Sequence, residues 1–265
     1  MRRGILPVLM FVLGCWASAS QAVTFVSARA ENGADKTVIF LHGFVSNARD
    51  AWQHPDTGAY WPDFFRSDLA LSSYNSAVVD YSTSLNDPYI GIDEVADEVT
   101  RELRLFLQSR PPNEEIVFVG HSLGGIIARK MILQNSDVAG RTLALITLGT
   151  PMGGSGFATL GSRLGFRGGI VRDLRRSSDG NFLGAFTQQW ANAQLQLNIP
   201  VHCAGEQLDI FGDSLRSLTI VGQSSARRTC DHFEILQGHD HQSLVKPEGP
   251  TDDIHRFLTD HLNRY

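Results

Sequence analysis

Three cysteines in 265 residues are too few for a disulfide framework, so this chain has to fold on an apolar core. A chain of this length can bury about 70–75% of its unfolded surface, which is enough without staples. Charge is also scarce. Charged residues make up 19% of the chain and the net charge is −5. With no basic excess to set against phosphates, nucleic acid is excluded as a partner. No apolar run is long enough to cross a bilayer comfortably; Ile5–Trp16 falls short. There is no repeat, low-complexity block or linker to divide the chain into several domains.

The N-terminus stands apart from the rest. "MRRGILPVLMFVLGCWASASQA" has two arginines, the short apolar run and a small-x-small end at Ser20–Gln21–Ala22. That layout predicts a secretory signal peptide over residues 1–22 and a periplasmic or secreted protein. "VLGC" offers a second route, a lipid anchor on Cys15, although Leu13 and Trp16 fit such a box poorly. Cleavage after Ala22 removes Arg2 and Arg3 and no acid, so the charge moves from −5 to −7. Cys203 and Cys230 remain, and in an exported protein they can pair.

From residue 23 on, apolar runs alternate with helix-like segments. Residues 37–44, 76–82, 115–120 and 143–149 are short, β-branched and bounded by turn or polar residues, as buried strands are. Residues 199–206 and 233–236 are weaker strands. Ile92, Val95, Val99, Leu103 and Phe106 recur at helical spacing ahead of Pro111–Pro112. A second helix follows Ser122, and an amphipathic helix ends the chain. This order predicts an α/β fold, a mostly parallel sheet with helices on both faces. Residues 153–198 interrupt the alternation with a glycine-rich stretch and a helical one. That insert is either a lid, which would then be the part to touch a membrane surface, or a packed helical addition. Its arginines, Arg163, Arg167, Arg172, Arg175 and Arg176, read as a solvated face.

The chemistry centres on Gly120–His121–Ser122–Leu123–Gly124, a G-x-S-x-G sequence. Alone it is a weak signal. Here a strand ends directly before it and a helix begins directly after, which is the turn that lifts a nucleophilic serine above a sheet. An oxyanion hole is then required. Leu123 N–H supplies one donor, and Phe44 N–H, after the strand ending "FLHGF", supplies the other. In this arrangement acid and base follow the serine in the chain. The base candidates are His232, His239 and His241. His232 enters its strand at the wrong end, whereas His239 and His241 follow theirs, which favours His241. Glu206 and Asp209 are the candidate acids, both after residues 199–205. A metal reading of "HDH" lacks a second ligand cluster, and no metal or cofactor is expected.

Several stretches taken together resemble a known family. "VIFLHGF", "AW…WPDFF", "IVFVGHSLGGIIARK", "ITLGTPMGGSGFA" and "HDHQSLVKP" resemble the lipase-like α/β-hydrolases, nearest to the serine-active-site-containing and GPI inositol-deacylase-like proteins. The resemblance runs in order from Thr37 to the C-terminus. It implies the α/β-hydrolase fold and an esterase or lipase acting on carboxylic esters or lipids. It places the histidine at His241 and the acid at Glu206. Two positions depart from the family pattern: Met152 stands where a histidine is common, and Phe44 where a second glycine is. The same triad also serves acyltransferases and thioesterases, and a hydrolase fold without turnover would be a binding module.

Overall fold

The structure is a computed structural model and describes residues 23–29, 34–84, 86–155, 167–175, 182–207 and 221–265. The apolar runs form strands β1 (Thr24–Arg29), β2 (Lys36–Leu41), β3 (Tyr74–Asp80), β4 (Glu115–His121), β5 (Thr142–Leu148), β6 (Val201–Glu206) and β7 (His232–Leu236). They make one sheet in the order β1-β3-β2-β4-β5-β6-β7. β1 runs antiparallel to β3 and every other neighbouring pair is parallel.

The central strands are continuously apolar because both faces are covered. On one face Ile39, Leu41, Phe118 and Leu145 pack beneath α1 (Ile92–Gln108) and α2 (Leu123–Gln134). On the other, Val38, Phe40, Val117, Val119 and Ile146 meet Trp52, Trp61, Phe65 and the C-terminal helix. Ile92, Val95, Val99 and Leu103 form the buried stripe of α1. Phe106, expected in that stripe, is only partly buried and stacks on Phe25 of β1 at 5.0 Å.

Two features were not anticipated. β1 is an edge strand with Val26 half exposed, so its pattern carries little of the hydrophobic signal of a core strand. β2 stops at Leu41, short of residue 44, because His42 leaves the ladder and Gly43 begins a turn. Parts of the insert are described: a short helix (Gly169–Asp173) and α3 (Phe182–Leu197). α3 buries Leu183, Phe186 and Trp190 against the sheet layer. Asp173 Oδ2 accepts from Ile92 N–H at 3.1 Å and so closes the N-terminus of α1. The described parts of the insert are therefore packed against the domain. Arg167 and Arg172 are exposed, as a solvated face requires. Arg163, Arg176, Asp209 and residues 1–22, with Cys15 and the expected signal peptide, lie outside the described residues. Cys203 and Cys230 form a disulfide across 27 positions, tying β6 to the approach of β7. The last helix, α4 (Asp253–Leu262), lies under the sheet. No described helix is long and apolar enough to cross a membrane.

Candidate active site

Ser122 joins β4 to α2 with φ 50° and ψ −118°, a left-handed conformation rare outside glycine. The surrounding sequence makes this turn possible. A Cβ on Gly120 would stand 2.5 Å from Gly125 Cα, and one on Gly124 would strike the Leu41 carbonyl. Small residues let α2 start directly against the ends of β2 and β4. Among the described residues, the hydrogen bonds of Ser122 run through its backbone. Its N–H donates to Leu148 O at 2.9 Å, and its carbonyl accepts from Gly125 N and Thr150 Oγ1. The residue is 8% exposed.

His241 lies in the loop after β7 and Glu206 at the carboxyl end of β6. His241 Nδ1 and Glu206 Oε2 are 2.8 Å apart, with side chains 7% and 1% exposed. A carboxylate only accepts, so Nδ1 carries the hydrogen and Nε2 is left as a base. Glu206 Oε1 accepts from Val221 N at 3.0 Å, which fixes the carboxylate from its far side. The His241 ring also sits against Gly149, and Gly149 follows the residue that bonds Ser122 N. The carboxyl ends of β4, β5 and β6 thus gather the serine, the histidine and the glutamate.

The other histidine candidates point elsewhere. His239 Nε2 pairs with Asp253 Oδ1 at 2.9 Å. His232 stands at the amino end of β7, on the opposite edge of the sheet, near His202 and His261. The "HDH" residues do not share a centre: Asp240 Oδ1 accepts from the N–H groups of Gln242 and Ser243 and shapes its own loop. His239 does lie with Asp252 and Asp253 in a half-buried group, but Asp252 there accepts from Ile254 N and Glu248 N as a helix cap.

Leu123 N–H is the first of α2, a position without an intrahelical acceptor. At the end of β2, Gly43 approaches the serine so closely that a Cβ there would be 3.2 Å from Ser122 Cβ. Val45 N–H is occupied by Thr83 Oγ1 at 2.8 Å, whereas Phe44 N–H meets no acceptor among the described residues. His42 is fully buried and neutral in character: burial lowers its pKa. It stacks on Tyr81 at 4.0 Å, and the Tyr81 hydroxyl donates to the His42 carbonyl. The pair clamps the strand that presents Phe44. Beside this turn opens a cleft of about 680 Å³, lined by Ser46, Asn47, Asp50, Asp80 and Thr83 among others, with no basic side chain.

Chain order removes His121 from the base candidates, and the sequence holds no other sign of a role for it. In the structure its Nε2 meets the His241 carbonyl oxygen at 2.9 Å.

Comparison with known proteins bears on the family and the fold. Residues 31–166 match the protein family described as "Putative serine esterase (DUF676)", a span that holds the Phe44 turn and the Ser122 elbow. Over 106 residues the chain is 27% identical to GPI inositol-deacylase A of Yarrowia lipolytica, covering 39% of this chain and 10% of that protein. The matched stretch therefore spans only about a tenth of the length of that curated relative. Phospholipase PlaB from Legionella pneumophila superposes with a TM-score of 0.67 at 18% identity, over 84% of this chain and 57% of that one. The mature lipase BlEst2 of Bacillus licheniformis gives 0.58 at 18% identity, over 84% and 92%. A monoglyceride lipase variant from Saccharomyces cerevisiae gives 0.55 at 13% identity, over 91% and 90%. At these identities the structural likeness concerns the fold.

Proposed function

The chain belongs to the family described as "Putative serine esterase (DUF676)" and has the α/β-hydrolase fold of lipases and esterases, and from that premise we propose that it is an exported carboxylic ester hydrolase working through Ser122, His241 and Glu206. The observation that carries this reading is the His241–Glu206 contact beside a serine held at positive φ. Ser122 Oγ attacks the ester carbonyl while His241 Nε2 takes its proton. Glu206 holds the Nδ1 hydrogen and stabilises the imidazolium that results. The Phe44 and Leu123 N–H groups receive the oxyanion, and removal of one such donor typically costs about 3–4 kcal/mol in the barrier. Collapse of the tetrahedral intermediate expels the alcohol, which takes the proton from His241. Water, deprotonated by the same nitrogen, then attacks the acyl-enzyme and frees the acid and Ser122.

Ser122 Oγ and His241 Nε2 make no hydrogen bond in the resting site; such contacts tighten once substrate is bound. The disulfide supports export, since such bonds persist in oxidising compartments. The deciding experiment is labelling with a fluorophosphonate probe and mapping of the modified residue. Labelling at Ser122, lost in Ser122→Ala together with ester hydrolysis, is the expected result. A purified protein that neither takes the probe nor cleaves any ester across a panel of acyl lengths is a binding module, and the proposal fails.

A further inference from the structure

His121 takes no part in the reaction sequence above, but it is tied to the group that does. Its Nε2 lies 2.9 Å from the backbone carbonyl oxygen of His241. A carbonyl only accepts, so Nε2 carries the hydrogen. The two rings are 4.8 Å apart at 43°. Trp52 packs edge-on against His121 at 6.4 Å, and a Cβ on Gly43 would stand 3.0 Å from its Nδ1, so the imidazole has no room to swing. His121 is itself held in register opposite Leu148 on β5.

The loop that carries His241 is otherwise bonded in other directions. Gln207 N–H donates to His239 O, and Gly238 N–H donates to the Gln207 side chain, so these bonds reach the end of β6. His239 reaches Asp253 on α4. Asp240 bonds within the loop. Among the described residues, His121 supplies the only hydrogen bond between this loop and β4, the strand that presents Ser122. Glu206 sets the orientation of the His241 ring, but a ring can be correctly oriented and still sit too far from its nucleophile.

We propose that His121 is a positioning residue: by holding the His241 carbonyl it fixes the distance from His241 Nε2 to Ser122 Oγ. The inference rests on the reading of Ser122 and His241 as nucleophile and base. Burial, followed by the neighbouring His241, lowers the His121 pKa well below the usual histidine value. The group therefore stays neutral and keeps the Nε2 hydrogen that it donates.

Three variants test this. His121→Phe keeps an aromatic ring and removes the donor, His121→Ala removes both, and His121→Gln restores an N–H donor without the ring. Positioning predicts that Phe and Ala lower kcat and the rate of fluorophosphonate labelling by about 10- to 100-fold, the scale of a sub-ångström to 1 Å misplacement, with KM little changed. Gln recovers most of the loss. The acidic limb of the pH–kcat/KM profile, on which a general base must lose its proton, shifts in Phe and Ala and returns in Gln. If Phe keeps wild-type turnover, or if Gln loses as much as Phe, His121 is only core packing and the inference is overturned. Wild-type protein serves as the control for the underlying reading. Failure of Ser122 to label there removes both claims, whereas normal wild-type labelling with an active Phe variant removes this one alone.

Discussion

Replacing Gly149 with alanine should disable the site while leaving the fold standing. Gly149 has φ 58°, and its N–H donates to Ala204 O at 2.9 Å, so its conformation is held by the next strand. Placing alanine in this left-handed region costs about 1–2 kcal/mol. The new methyl would stand 2.9 Å from Glu206 Oε2 and 3.0 Å from both His241 Nδ1 and Cε1. Those two groups are the pair joined at 2.8 Å, so the methyl meets both partners of one hydrogen bond. Ordinary carbon contacts begin near 3.5 Å, so the pair must recede by about 0.5 Å. With a 1 Å misplacement costing about a hundredfold, the expected loss in kcat is about 10- to 100-fold. Melting temperature should fall by only a few degrees, at roughly 2–4 °C per kcal/mol for a chain of this size. Gly58→Ala is the control. It has φ 71°, and its nearest new contact is Gln53 Nε2 at 3.7 Å, so it carries the same backbone strain away from the site. Ester turnover and thermal unfolding of the two variants, measured side by side, decide the matter. Equal activities in the two would refute the packing argument.

Reduction of Cys203–Cys230, which closes a span of 27 positions, should cost about 3.5 kcal/mol by loop-entropy reasoning, and a melting temperature unmoved by reductant with both thiols titratable would contradict that. Stability should also fall in acid through the amino-end histidines. Burial first, then Arg264 and His232, depresses His202 to about 4; burial first, then stacked His202 and Arg264, depresses His261 to about 3. Below about pH 6.5 the unfolded chain takes up protons that the folded chain refuses, so each group removes up to about 1.4 kcal/mol per pH unit as pH falls towards those values. Urea midpoints at pH 7 and pH 5 should diverge in the wild type and converge in a His202→Gln/His261→Gln double variant, whose neighbours His232, Asp231 and Tyr265 remain. Asp173→Ala removes the acceptor at the head of α1 and should cost about 1 kcal/mol, with faster proteolysis of the insert; unchanged cleavage would mean that the insert is held by its apolar contacts alone.

The fold was legible wherever a segment is buried on both faces. β2, β4 and β5 are continuous apolar runs, and α1 shows its stripe at helical spacing. β1 was not legible, since an edge strand with one solvated face lacks that run, and it follows directly on a segment that reads as a signal peptide. The turn at Trp52 and the short 3-10 helix Trp61–Arg66 escaped for a different reason. Their aromatic side chains cover Phe40 at 5.0 and 5.8 Å, a tertiary contact that local pattern does not encode. Within the site, Ser122 and its two amide donors follow from a turn whose chemistry is local. His239 and His241 over His232 follow from which strand end faces the serine, and the family resemblance then points to His241. Glu206 could not be separated from Asp209 by spacing, because each stands near the end of one strand and only the path of the chain decides which reaches the ring. His121 was hidden by the same rule of chain order that narrowed the base: a histidine excluded from proton transfer was not thereby excluded from holding the one that performs it.

The strained residues explain why these groups stay where the chemistry needs them. Val45, Ser122 and Gly149 all have positive φ, and they follow β2, β4 and β5 respectively. Each donates its backbone N–H sideways: Val45 to Thr83 Oγ1 beyond β3, Ser122 to Leu148 O of β5, and Gly149 to Ala204 O of β6. The sheet thus continues for one bond past the point where its regular ladder ends, and that bond over-determines a conformation costing about 1–3 kcal/mol at each non-glycine position. The strain is supported by the neighbouring strand rather than by the turn itself. A defect at the end of β5 therefore acts on Ser122 through Leu148 and on the His241–Glu206 pair through Gly149 at once, which is why a single methyl at Gly149 should be felt by the whole constellation.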